Sequence, residues 1–387
     1  MLVLICVRFN FWQVLLAALA AVQISQASWC DDMPVVGNYV VFNESCPFDS
    51  TVEVNNGVLN LTGTFNETTE RYTTFYRNNY LKEGHAYKLR LFTISGFGVL
   101  HLKFLNLTQG CVNAFANGIL KREGGAIRIS GKYAAAHLVD TVLYKNEAVF
   151  GGAVHVSNFA NFTISGKNSL IASNLAHVGK PRGGGVYCNY GANCVIRDGA
   201  TIDSNDGNYG SGLFCSGGHD DDTLLDGYMN TTCTCNNAVI SRNTGTRGGG
   251  VFCSEGAHCI FTNGTSIRNN TATNSGGGGL FCKNSFVKTP NPDIPRNTKC
   301  IVTEHSYVEG NSATSGQGGG IKCVGTLDTW PAYTECTVTN YSSVRWNDVR
   351  TTDTHGGGYL YQGTTQVDLP CLILRELKAT GQNGGQV

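Results

Sequence analysis

Charge is scarce in this chain. Only 14% of its 387 residues are Asp, Glu, Lys or Arg, and 28 basic side chains balance 28 acidic ones. A neutral, sparsely charged surface lacks the field that would hold nucleic acid or an anionic bilayer, so neither is an expected partner. Beyond the N-terminal leader no stretch is apolar enough to cross a membrane. No Gly-x-Ser-x-Gly elbow occurs, which removes one common nucleophile arrangement. Cys-x-x-Cys pairs are missing as well, and with them the usual zinc spacing. Helical periodicity is absent.

What the chain does have is glycine in a fixed setting. Eight short motifs recur: Gly124-Gly-Ala-Ile, Gly151-Gly-Ala-Val, Gly183-Gly-Gly-Val, Gly210-Ser-Gly-Leu, Gly248-Gly-Gly-Val, Gly277-Gly-Gly-Leu, Gly318-Gly-Gly-Ile and Gly356-Gly-Gly-Tyr. They are spaced by 27, 32, 27, 38, 29, 41 and 38 residues. A unit of this size cannot bury a core alone, so it must stack on its neighbours. The glycines open strands rather than helices, which argues against a dinucleotide-binding loop.

The variable part of each unit lies between two cysteines. Cys188, Cys215, Cys253, Cys282 and Cys323 follow their motifs at one offset. Each meets a second cysteine: Cys194, Cys233 or Cys235, Cys259, Cys300 and Cys336. Beyond the second cysteine an Asn arrives eleven residues later in four units, and ten after Cys233 in the other. That Asn closes a second motif, with an aliphatic residue three positions earlier, as in Ile202-Asp-Ser-Asn205 and Ile240-Ser-Arg-Asn243.

Glycine turn, short strand, variable loop, second strand, third strand and asparagine turn make up one unit. Short segments rich in Val, Ile, Thr and Phe predict an all-β parallel β-helix with three strands per coil. Gly suits a tight corner stacked on an identical corner, and Asn both tolerates left-handed turns and can bond from coil to coil. Alternation places Ile127 and Ile129, Val154 and Val156, Val186 and Cys188 inward.

The paired motifs Gly-Gly-Ala-(Ile/Leu/Val) and Phe-x-x-Asn define the repeats of the chlamydial polymorphic outer-membrane proteins. Residues 115–387 resemble that repeat type, with Ile, Val or Leu in place of Phe. The resemblance implies a right-handed parallel β-helix of the pectin-lyase-like kind, displayed at a cell surface, with adhesion as the expected role.

Other features set the compartment. Residues 1–28 read as a secretory signal peptide, with an apolar stretch from Phe9 to Val22 and small residues near Ala27. Sixteen cysteines suit an oxidising environment, and the matched pairs predict disulfides that pin each variable loop, with Cys30 and Cys46 a further candidate pair. Cys111 and Cys371 have no obvious partner. Nine Asn-x-Ser/Thr sequons follow, at Asn43, Asn60, Asn66, Asn106, Asn161, Asn230, Asn263, Asn269 and Asn340. A secreted or cell-surface glycoprotein is therefore the expectation. Residues 29–85 lack the repeat and are expected to cap the first coil, with repeats over 86–387. The sequence stops where a ninth glycine motif would begin, which suggests that the protein continues.

Two side-chain groups are candidates for a site. Tyr187, Phe214, Phe252 and Phe281 occupy the outward position of successive first strands and predict an exposed aromatic ridge for a glycan or cell-surface protein. Asp220, Asp221 and Asp222 in the third loop are the candidate calcium ligands, and no other cofactor is expected. A polysaccharide lyase or glycoside hydrolase is the alternative to adhesion, because both use acidic residues in a cleft. No set of residues is singled out as catalytic.

Overall fold

The computed structural model describes residues 39–42, 44–48, 50–66, 71–77, 90–112, 122–177, 179–218, 230–284, 297–315, 317–325, 334–349 and 359–362. They form a parallel β-solenoid without an α-helix. One unit shows the pattern: Ile127–Ser130, Ala135–Val139, Val142–Tyr144 and Glu147–Ala148. Each segment pairs in parallel with its counterpart in the next unit, Val154–Ser157, Asn161–Ser165, Leu170–Ala172 and Leu175–Ala176. Equivalent pairing continues to Ser343–Arg345 and Asp348–Val349. Each unit from Ile127 onward thus carries a fourth strand of two to four residues just after its motif asparagine, beyond the three expected.

Stacking extends further towards the N-terminus than the repeat does. Val52–Gly63 pairs in parallel with Phe92–Lys103, and Cys46–Phe48 with Arg71–Arg77. Part of the region expected to cap the solenoid therefore shares its sheets. The 12-residue strand Phe92–Lys103 runs unbroken past both Ile127–Ser130 and Ala135–Val139, which joins the first- and second-strand files into one sheet. In later units a corner separates those two files.

The core is built by alternation. Ile127, Val154, Val186, Leu213, Val251, Leu280 and Ile321 stack in register, each essentially without solvent contact. Beside them, Val156 and Phe162 occupy the inward places that Cys188 and Cys194 fill one coil on. From there the cystines replace an apolar pair in every unit, and they are buried accordingly. Removing that much apolar surface from water is the main stabilising contribution.

Two corners explain the motifs. Gly151 has φ of +66°, and a Cβ there would lie 2.1 Å from the Val154 carbonyl oxygen. Gly152 is required for a different reason: its Cβ would sit 2.2 Å from the Gly184 carbonyl oxygen of the next coil. At the other corner Asn146, Asn174, Asn205, Asn243, Asn270, Asn311 and Asn347 form a buried ladder. The backbone N–H of Asn205 donates to Asn243 Oδ1 at 2.9 Å, and Asn205 Nδ2 donates to the same oxygen at 3.0 Å. Asn205 Nδ2 also donates to the carbonyl of Ile171 at 2.9 Å. The left-handed residue is not the asparagine, as expected, but the one before it: Lys145, Ser173, Ser204, Arg242, Asn269, Gly310 and Trp346 all have φ between 52° and 62°. This spares the asparagine to serve as a vertical connector.

Candidate functional site

The cystines mark one corner of the solenoid. Cys188, Cys215, Cys253, Cys282 and Cys323 stack in one file, and Cys194, Cys233, Cys259, Cys300 and Cys336 in the adjoining one. Five disulfides join the files within each coil, with sequence separations of 6, 18, 6, 18 and 13 residues. Cys215–Cys233, Cys282–Cys300 and Cys323–Cys336 close the base of an insertion, and Cys188–Cys194 and Cys253–Cys259 close the short turn itself, each a constraint worth on the order of 2–3 kcal/mol through the unfolded chain. Insertions of unequal length thus leave and re-enter at the same corner. The sulfurs of Cys188, Cys194 and Cys233 lie within 4.8 Å of one another, yet all three are consumed in disulfides.

Register settles the ambiguous partner. Cys233 stands in line with Cys194 and Cys259, whereas Cys235 aligns with Ile196 and Phe261. Cys235 stays a thiol, and burial pushes its pKa up to about 12. Such a group is a small hydrophobe rather than a nucleophile. Cys46 is disulfide-bonded, while Cys30 and Cys371 lie outside the described residues. Cys111 is buried at a bridge to Glu147.

The expected aromatic ridge is corrected by burial. Tyr187, Phe214, Phe252 and Phe281 do stand outside the coil core, with centroids 5.0, 5.1 and 4.9 Å apart, the first two pairs stacked and the last edge-to-face. Their exposures, however, are only 1%, 2%, 6% and 3%. Part of the cover comes from the residue preceding each glycine motif, because the left-handed glycine turns that residue back beside the strand. Glu123, Phe150, Arg182 and Tyr209 form this file, bridged in parallel from coil to coil. Phe150 and Tyr209 pack against the aromatic cluster. Arg182 lies 5.5 Å over Phe214, and Lys322 lies 5.4 Å over Phe281. The four aromatics are a second, dry layer on the sheet. Sequence reasoning missed that file, although a large residue precedes five consecutive motifs.

The same strip ends in a buried charge cluster. Arg128 Nε donates to Glu123 Oε2 at 2.7 Å, and His155 Nδ1 lies 3.5 Å from that oxygen. Burial opposes ionisation of Glu123, but the neighbouring positive charges outweigh it and hold the carboxyl below its usual range. His155 contributes to that only when protonated, so Arg128 and Arg90 carry it at neutral pH. Desolvation pushes His155 down to about 4, despite the opposing pull of Glu123. The unfolded chain therefore binds an extra proton at this histidine between pH 6.5 and about 4. Stability contributed by neutral His155 is full above pH 6.5 and is lost as pH falls, on the order of 3 kcal/mol in the limit. His101, His137 and His258 are also shifted down by burial and act in the same direction. Thermal unfolding of His155→Gln against wild type at pH 7 and 4.5 isolates the buried site: the wild type should lose more stability on acidification than the variant. Equal losses would contradict it.

The other buried carboxylates have structural partners. Asp203 accepts from Arg242 at 2.7 Å, Ser241 at 2.6 Å and Ser204 at 2.8 Å, while Glu255 bonds to Ser216. Asp220, Asp221 and Asp222 lie outside the described residues. Among the sequons, Asn230, Asn263, Asn269 and Asn340 are exposed, and Asn60, Asn106 and Asn161 are half-buried on strands. Asn43 and the side chain of Asn66 lie outside the described residues. No helix among the described residues is long and apolar enough to cross a membrane. No known protein family, curated protein or solved structure matches the chain.

Proposed function

We propose that this is a secreted, disulfide-pinned β-helix that binds an extracellular glycan or a cell-surface protein without turning it over, as an adhesin or adhesin-like interaction protein. The observation that supports the reading is the stacked cystine corner: three insertions, at cysteine separations of 18, 18 and 13 residues against 6 in the other two coils, are each clamped at the base and share one edge of a rigid scaffold. Variation confined to one edge of a repeat protein is the arrangement of a recognition surface. In this reading the coils are right-handed and pectin-lyase-like, and the repeats are of the polymorphic outer-membrane-protein type. The contact surface is the loops rather than the aromatic layer, which is already packed.

A glycan and cell-binding panel tests this with the loop 219–229 replaced by a four-residue Gly-Ser linker that keeps Cys215 and Cys233. Binding should fall by about tenfold or more while the thermal midpoint stays within a few degrees, because only loop contacts are removed. Unchanged binding after shortening 219–229, 285–296 and 326–333 together would overturn the proposal. So would cleavage of a polysaccharide abolished by Asp221→Ala, which would favour a lyase or hydrolase.

A further inference from the structure

The nine sequons are alike in sequence, and their settings in the fold are not. Asn263 and Asn340 occupy the corner between the second and third strands, exposed and left-handed at φ of 54° and 51°. Asn269 sits at the opposite end of the same third strand as Asn263, flanking Ser266–Arg268, also exposed and left-handed at 55°. The amides at these bends lie along the outer rim of the coils, on residues open to solvent. Space is available as well: a Cβ on Gly264, next to Asn263, would meet nothing within 4 Å. Above Asn269 the next coil offers Gly310, the single glycine among the seven residues at that bend, so no side chain crowds the amide. Asn106 is the contrasting case. It lies inside a sheet, between Thr74 and Val142 of the adjoining strands, with its Oδ1 buried and its Nδ2 3.4 Å from Thr74 Oγ1.

We propose that Asn263, Asn269 and Asn340 carry N-linked glycans and that Asn106 stays bare. The assignment rests on the secretory reading above. In the transfer, Nδ2 forms a bond to C1 of the first sugar of a lipid-pyrophosphate-linked oligosaccharide. The C1–oxygen bond breaks, the lipid pyrophosphate leaves with that electron pair, and the amide nitrogen gives up one of its two protons. The remaining N–H can keep the bond from Asn263 Nδ2 to Asn236 Oδ1 at 3.1 Å, or from Asn340 Nδ2 to Thr303 Oγ1 at 3.0 Å. Attachment precedes folding, so a glycan on Asn106 would have to be fitted between the paired strands, against Thr74 and beside the buried Oδ1. A chain so modified cannot stack its coils and is lost before secretion. Glycans at the three corners would flank the third-strand sheet from Ser266–Arg268 to Ser343–Arg345, and none of the three stands on the cystine corner.

The test uses the full chain expressed in a eukaryotic secretory host, with enzymatic removal of N-glycans in heavy-oxygen water and peptide mass spectrometry of the secreted material. Asn263, Asn269 and Asn340 should each be converted to labelled Asp, with Asn106 lower by about tenfold or more. Equal occupancy at Asn106 would overturn the inference. So would secreted protein bare at the three corner sites, and that result leaves the secretory reading intact. Protein retained inside the cell with no sequon modified would overturn both.

Discussion

Gly152→Ala should abolish folding at ordinary temperatures, with a loss of about 4 kcal/mol or more. A methyl group at this position would approach the carbonyl oxygen of Gly184 to 2.2 Å and that of Leu175 to 2.7 Å. Both obstacles are backbone of the next coil, so no side chain can rotate away. Relief would require separating two coils and breaking their parallel bonds. One coil departs from the rule, since Ser211 stands where Gly152 does. There the adjoining fourth-strand column, which reads Ala148 and Ala176 before and Ala272 and Ala313 after, drops to Gly207 and Gly245. A Cβ on Gly245 would lie 2.3 Å from Ser211 Oγ, so the glycine at 245 clears the room that the serine hydroxyl uses, and that hydroxyl donates to the Gly207 carbonyl at 3.0 Å. Gly152 has no such compensation, because Ala148 and Ala176 flank it. Yield of soluble protein and the denaturant midpoint check this. A Gly152→Ala protein with a wild-type midpoint would contradict the stacking geometry.

Asn243→Ala should cost about 3–5 kcal/mol, well beyond the loss of two methylene-sized groups. Asn243 Oδ1 accepts both the N–H and the Nδ2 of Asn205, and Asn243 Nδ2 donates to Asn270 Oδ1 at 2.9 Å and to the Ile202 carbonyl at 3.2 Å. Truncation strands the Asn205 backbone N–H in a place without water. Asn243→Asp separates this from a simple size effect. The aspartate keeps the shape and the accepting oxygen, but it replaces a donor with a second oxygen facing two acceptors, and it buries a charge. The aspartate variant should therefore be at least as unstable as the alanine variant at pH 7. A stable aspartate variant would mean that the ladder bonds contribute little.

Some of this architecture was legible because physics forces repetition. A buried amide must be satisfied in every coil, so the seven ladder asparagines recur at a fixed distance from an inward aliphatic residue. The cystine files were legible for a similar reason: two inward positions in register admit a bridge, and five coils use it. The choice between Cys233 and Cys235 was not, since both face inward and only alignment with neighbouring coils separates them. Strand parity put Tyr187, Phe214, Phe252 and Phe281 on the outer side, where they lie. Their cover escaped notice because Arg182 reaches Tyr187 and Phe214 only after the glycine turn reverses the chain. The fourth strand, two residues long in Glu147–Ala148, is too short to show a period. Early coils lack the glycine motif, so the pairing of Val52–Gly63 with Phe92–Lys103 left no repeat to detect. Of the candidate site, the disulfide scaffold could be read from spacing, whereas exposure could not.

Vertical registration is the claim on which the rest depends. Thr163, Val195, Thr234, Ile260, Ile301 and Thr337 form one file of the second strands, with five steps from first to last. At about 4.8 Å per step, Thr163 and Thr337 should be about 24 Å apart although 174 residues separate them in sequence. Pulsed electron-spin spectroscopy between labelled unnatural amino acids at these two positions measures that span. A narrow distribution centred near that distance, widened only by the label arms, is the expected result; a broad distribution, or one centred beyond about 40 Å, would contradict the stacked solenoid.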